Sequence, residues 1–161
     1  FFLMKASLNC REYLYLVELQ KRPEHDLAEI LRTRGDRVLS LKCLHKPEFS
    51  DLLNRIFNIL ARNRHLLNVE TVSPESVANI LKTRTELTDK FLPLLISQIC
   101  STINTCESEK PIKRVTDLLC AIILNCDKNI SEEILNGVES SIENEFYKGL
   151  LLNRLVVKIC N

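Results

Sequence analysis

The sequence predicts an all-α fold, an α-solenoid of stacked antiparallel helical hairpins with a repeat of about 37–39 residues. Three observations carry that expectation. The first is composition: 161 residues, 45% of them hydrophobic and 27% charged, suffice for one domain with a real core, while only 3 glycines and no tryptophan disfavour β-rich folds with their many tight turns. The second is an internal echo. Val77-Ala78-Asn79-Ile80-Leu81 returns as Val115-Thr116-Asp117-Leu118-Leu119, 38 residues on, and as Leu152-Asn153-Arg154-Leu155-Val156, 37 residues further. The third is an independent register, in which Phe91, Ile96, Ile99 and Ile103 each meet an apolar counterpart 39 residues later, at Ile130, Leu135, Val138 and Ile142. A period in this range, made of helices alone, marks units that bury their apolar faces against their neighbours.

Residues 1–70 read as an irregular helical region. Tyr13, Leu14, Leu16, Val17 and Leu19 are spaced for a buried helix that Pro23 ends, or after which it starts the next. Asp26 is the expected cap of a short helix holding Leu27, Ile30 and Leu31, with Gly35 as its terminator. A further short helix is expected to hold Val38, Leu39, Leu41 and Leu44. Ser50, just after Pro47, is placed to cap the strongest amphipathic helix of this region, carrying Leu52, Leu53, Ile56, Phe57, Ile59 and Leu60.

Residues 71–161 read as the repeats, the third unit incomplete. Ser73 caps, Pro74 takes the first turn and Glu75 favours the positive end of the dipole, ahead of Val77, Ile80 and Leu81. Leu87-Thr88-Asp89 is expected to punctuate, and Pro93 to fall in the first turn of a helix burying Phe91, Leu92, Leu95, Ile96, Ile99 and Ile103. After a polar link at residues 105–110, a helix presents Val115, Leu118, Leu119, Ile122 and Ile123 until Asn125-Cys126-Asp127 breaks it. Ser131 is the expected cap of its partner, which carries Ile134, Leu135, Val138 and Ile142 with Glu132 and Glu133 in the first turn. Gly149 and the apolar run 150–159 would open the third unit, whose apolar character implies more protein or a partner beyond it. The opening at Phe1 instead of methionine is what a processed product, a fragment or part of a longer protein would give.

Net charge is +1, but residues 1–65 carry twelve Lys/Arg against eight Asp/Glu, leaving ten against thirteen for the remainder. So small a total argues against strong nonspecific nucleic-acid binding and leaves room for a local basic patch. The 7 cysteines are odd in number and include no C-x-x-C pair, so neither a disulfide framework nor a zinc site is suggested and a reducing compartment fits best. The longest clean apolar run, 118–124, is too short to span a bilayer, and no membrane insertion is expected. His25, His45 and His65 lie twenty apart without cysteine or carboxylate at ligand spacing, so no metal is expected. Arg34-Gly35-Asp36 reads as a turn between helices. With no P-loop, dinucleotide glycine pattern, nucleophile elbow or H-E-x-x-H, the chain is expected to be no enzyme and to need no cofactor.

The segment Ser73-Pro74-Glu75-Ser76-Val77-Ala78-Asn79-Ile80-Leu81 resembles the S-P-x-x-L-A-N-L-L start of repeats in octotricopeptide and heptatricopeptide proteins, relatives of the FAST-kinase-like RNA-binding proteins. The resemblance covers roughly residues 73–160. It implies an α-solenoid of mitochondria or plastids acting in RNA processing, RNA stability or organellar ribosome assembly, with RNA, ribosomal RNA included, and the neighbouring proteins of a larger complex as partners. We expect a mitochondrial location. The other reading is a HEAT-like helical scaffold for protein–protein interaction, in the cytoplasm or nucleus.

If RNA is bound, cationic and amide side chains should project in register from the first helices of successive hairpins. Candidates are Asn79, Lys82 and Arg84 in one unit, Lys113 and Arg114 in the next, and Arg154 and Lys158 in the last. They would act by phosphate pairing and amide contacts to bases. Arg62 and Arg64, in the densest basic group, are further candidates for phosphate contact. The alternative for all nine is the solvated face of an amphipathic helix or, for Arg62 and Arg64, compensation of a helix dipole.

Overall fold

A computed structural model of the chain describes residues 2–62 and 72–160, the side chains of 2–9 excepted. Among the described residues there are eight α-helices and no strand. These are α1 (Phe2–Gln20), α2 (Glu24–Leu39), α3 (Ser50–Arg62), α4 (Pro74–Thr83), α5 (Thr85–Thr105), α6 (Lys110–Asn125), α7 (Lys128–Ser141) and α8 (Glu145–Cys160), with two 3₁₀ turns, Lys42–His45 and Pro47–Phe49, before α3. The all-α expectation holds.

Alternate helices pack on one another. Along one row α2 touches α4, α4 touches α6 and α6 touches α8; along the other α3 touches α5 and α5 touches α7. Sequence neighbours α2 and α3, α4 and α5, and α6 and α7 close the space between the rows, and α1 lies against the first 3₁₀ turn. The core runs without interruption between the rows, from Leu16 and Leu27 through Ile56, Leu81 and Ile99 to Ile122, Val138 and Leu155. Each fully buried aliphatic side chain of this kind contributes about 1.5–3 kcal/mol.

Several boundaries differ from those expected. Leu16 and Leu19 are buried in α1, but Tyr13 and Leu14 face outward. In α2 the N-cap position belongs to Pro23, not Asp26; Asp26 joins Glu24 in the first turn, where carboxylates favour the dipole. Gly35 stands beside the point where the helix is interrupted, two helical stretches meeting at a kink at Arg34 (φ −140°, ψ 29°). It is buried inside α2, and Val38 and Leu39 close the same helix while Leu44 sits in the 3₁₀ turn. Arg34-Gly35-Asp36 thus falls where two helical stretches join, as expected, and Asp36 Oδ1 accepts a 2.7 Å hydrogen bond from the backbone N–H of Ser73, tying α2 to the start of α4. Ser50 is the first residue of α3, entered from the 3₁₀ turn, and its hydroxyl accepts from Arg84 Nη2 at 3.2 Å.

The Ser73 cap is as expected, its hydroxyl accepting from the Ser76 N–H at 3.3 Å with Pro74 next. The break after α4, however, is the single residue Arg84, so Leu87 and Thr88 are buried within α5 and do not punctuate. So short a break closes because the Thr88 hydroxyl donates to the Leu81 carbonyl at 2.9 Å, satisfying an end carbonyl of α4 inside the core. Pro93 consequently lies in the interior of α5, not in its first turn, and is tolerated on the exposed side. Asp127, not Ser131, caps α7: its Oδ1 accepts from the Ile130 N–H at 3.2 Å, which starts the helix at Lys128 and moves Glu132 and Glu133 past the first residues. Ile134, Val138 and Ile142 are buried as expected, but Leu135 is 38% exposed. The close approach of α5 and α7 falls at Gly137, where a Cβ would meet Ile96 Cγ2 at 2.6 Å. Gly149 opens no unit, lying exposed within α8.

Candidate functional site

Six of the nine sequence candidates fall on the row α2–α4–α6–α8. Asn79 and Lys82 are exposed on α4, Lys113 is exposed and Arg114 half-buried on α6, and Arg154 is half-buried and Lys158 exposed on α8. The repeat periodicity puts Asn79, Asp117 and Arg154 at equivalent positions, so the stripe mixes amide, anion and cation. Lys158 is engaged, forming an ion pair with Asp117 that joins α8 to α6, and this hydrogen bond raises the lysine's pKa. Near the far end of the row Lys82 lies within electrostatic reach of Cys126; burial pushes that thiol up and the lysine draws it down. Because Lys82 stands near the end of α4 and Cys126 just past the end of α6, the two helices run in the same direction.

Arg84 stands apart. At the α4–α5 break its Nε donates to Glu86 Oε1 at 2.5 Å, Nη1 to the His45 carbonyl at 3.2 Å and Nη2 to Ser50 Oγ, and its side chain is 18% exposed. It fastens the break to the 3₁₀ segment one repeat earlier. Arg62 lies on the other row, at the end of α3, donating to Asn58 Oδ1 at 2.7 Å. Arg64 lies outside the described residues, as does His65.

A feature the residue-by-residue reading missed is how charge divides between the rows. Helices α2, α4, α6 and α8 carry ten Lys/Arg against seven Asp/Glu, a net +3, whereas α3, α5 and α7 carry four against six, a net −2. Dividing the sequence by halves hides this, because helices of the two rows alternate along the chain. The signal was present in the sequence and needed only to be counted by helix position within the repeat.

The remaining chemistry is sparse. Among the described residues no group of three or more His, Cys, Asp and Glu is arranged to hold a metal ion. Among the described residues no two cysteines are joined in a disulfide: Cys43, Cys100 and Cys120 are buried, Cys106 and Cys126 half-buried, and Cys10 and Cys160 exposed. Burial raises the pKa of the Cys100, Cys106, Cys120 and Cys126 thiols, which suits packing more than nucleophilic attack. Among the described residues no helix is long and apolar enough to cross a membrane. The final helix exposes Phe146 (67%), Val156 (59%) and Val157 (57%).

We compared the chain with protein-family models, curated proteins and solved structures. None of them matches it.

Proposed function

We propose that the chain is a non-catalytic α-solenoid that binds RNA along the row α2–α4–α6–α8, as a structural or assembly component of a mitochondrial ribosome or RNA-processing particle. The observation that carries the RNA reading is the division of charge, +3 on α2, α4, α6 and α8 against −2 on α3, α5 and α7. A polyanion is drawn to one row and repelled by the other, so a chain of nearly zero net charge still offers it an oriented track. The solenoid reading is supported by the stacking of alternate helices and by polar ties that recur one repeat apart. Asp36 to Ser73 spans 37 residues, Arg84 to His45 39, Asn104 to Ser141 37 and Asn104 to Glu143 39. The mitochondrial setting and the particle rest on the resemblance of residues 73–160.

The test is binding of a labelled single-stranded RNA by the full chain at several salt concentrations. Lys82→Gln, Lys113→Gln and Arg154→Gln together should weaken binding at least tenfold and lower the salt slope by about 2, near 0.7 per lost phosphate contact. Arg84 is left intact in this variant because its guanidinium holds the α4–α5 break in place. Unchanged affinity and slope would remove this row as the RNA surface. A second reading, a protein-binding scaffold, is favoured by the exposed Phe146, Val156 and Val157 on α8. Under that reading the triple variant is silent and binding of a protein partner varies little with salt.

A further inference from the structure

The kink in α2 leaves an open cleft of about 430 Å³ lined by Thr33, Arg34, Asp36 and Arg37. Its origin is local. Arg34 leaves helical geometry (φ −140°, ψ 29°), so the side chains on either side of it no longer follow one helical surface and an exposed hollow opens between them. The Thr33 hydroxyl turns back onto the Glu29 carbonyl at 3.0 Å. Asp36 is committed, Oδ1 accepting from the Ser73 N–H at 2.7 Å. Both arginines are exposed, and neither guanidinium has a hydrogen-bond or ion-pair partner among the described residues. Their behaviour contrasts with that of Arg32, which pairs with Glu29, and of Arg55, which donates to the carbonyls of Gln20 and Arg22. Two guanidinium groups without a partner among the described residues and one carboxylate held by a backbone N–H line the cleft and give it a net charge of +1.

Its position gives that charge a direction. Asp36 reaches the residue that caps α4, so the cleft borders the end of the row at which α4 begins. With α4 and α6 running in the same direction, this is also the end at which α6 carries Lys110, Lys113 and Arg114. The planar fork of a guanidinium matches phosphate oxygens two at a time, and two such forks in one cleft can hold a tetrahedral oxyanion from both sides.

We infer that the Arg34–Arg37 cleft is a phosphate-binding site, seating a backbone phosphodiester where the RNA track crosses from α4 onto α2. The RNA source of the phosphate rests on the function proposed above; the oxyanion chemistry of the cleft does not.

The experiment uses the full chain with two probes, a fluorescein-labelled U12 RNA and inorganic phosphate, and two variants, Arg34→Gln/Arg37→Gln and Arg34→Lys/Arg37→Lys. Thermal melts confirm that both fold. We expect the Gln variant to bind U12 five- to twentyfold more weakly, with a salt slope lower by about 1.4, and the Lys variant to fall between it and the parent because charge persists and the fork is lost. If the parent binds U12 and the Gln variant matches it in affinity and slope, the inference is overturned while RNA binding stands. If the parent ignores U12 but phosphate shifts the Nε resonances of Arg34 and Arg37, the site stands with free phosphate as its ligand and the RNA reading falls. No response to either probe overturns both.

Discussion

The same substitution should have opposite effects at two glycines. Gly137 and Gly149 both lie inside helices, where glycine costs about 0.5–1 kcal/mol relative to alanine. At Gly149 a Cβ would meet nothing within 4 Å, so Gly149→Ala should stabilise by about that amount. At Gly137 the Cβ would fall 2.6 Å from Ile96 Cγ2, and Gly137→Ala should destabilise by about 1–3 kcal/mol through overpacking. Urea midpoints decide it, and Gly137→Ala should cost less in an Ile96→Ala background, which lacks Cγ2, than in the parent if the clash is the cause. A stabilised Gly137→Ala would mean that α5 and α7 part easily. Neither sign was legible in the sequence. The 39-residue register matched Ile96 with Leu135 as equivalent positions, but whether a methyl group fits depends on the closest approach of two helices far apart in the chain. By contrast the burial of Ile99, Ile103, Val138 and Ile142 was legible, because apolar residues at helical spacing leave one face to bury.

At the scale of the helix, most boundary errors came from choosing among adjacent polar residues. Asp127 and Ser131 are both good N-cap types, and sequence alone favoured the serine because two glutamates follow it; the structure starts α7 a turn earlier, with Asp127 Oδ1 on the Ile130 N–H. Ser73 was legible because Pro74 fixes the first helical position and leaves one candidate. We therefore expect Ser73→Ala and Asp127→Ala each to lower stability by about 1 kcal/mol, and Ser131→Ala to change it by less than about 0.5 kcal/mol, since the Ser131 hydroxyl only returns a 3.4 Å bond to Asp127 O. Denaturant unfolding at constant m-value tests the set. A larger loss for Ser131→Ala than for Asp127→Ala would return the cap to the serine. The α4–α5 break escaped sequence reading for a different reason: its carbonyl is satisfied by Thr88, a residue that looks like a helix breaker until its hydroxyl is seen to reach back to Leu81.

For the whole molecule, the all-helical class was legible before any coordinates, whereas the sign of each row, though carried by the sequence, could be counted only once each helix is assigned to a row. That assignment also sets how stability should vary along the chain. Helix α6 packs between α4 and α8 in its own row and touches α5 and α7 across the core, while the most extensive contact of α8 is with α6 alone. Only Leu151 and Leu155 of α8 are buried, against seven residues of α6. The ion pair from Lys158 to Asp117 adds little at an exposed position. In a stack whose units are stabilised mainly by nearest neighbours, an end helix should open without the rest. Amides of α8 should therefore exchange with deuterium at least tenfold faster than those of central α6, a gap of about 1.4 kcal/mol in opening free energy. Equal protection across α6 and α8 would instead mean that the chain opens as one cooperative body, and the nearest-neighbour description of its two rows would have to be given up.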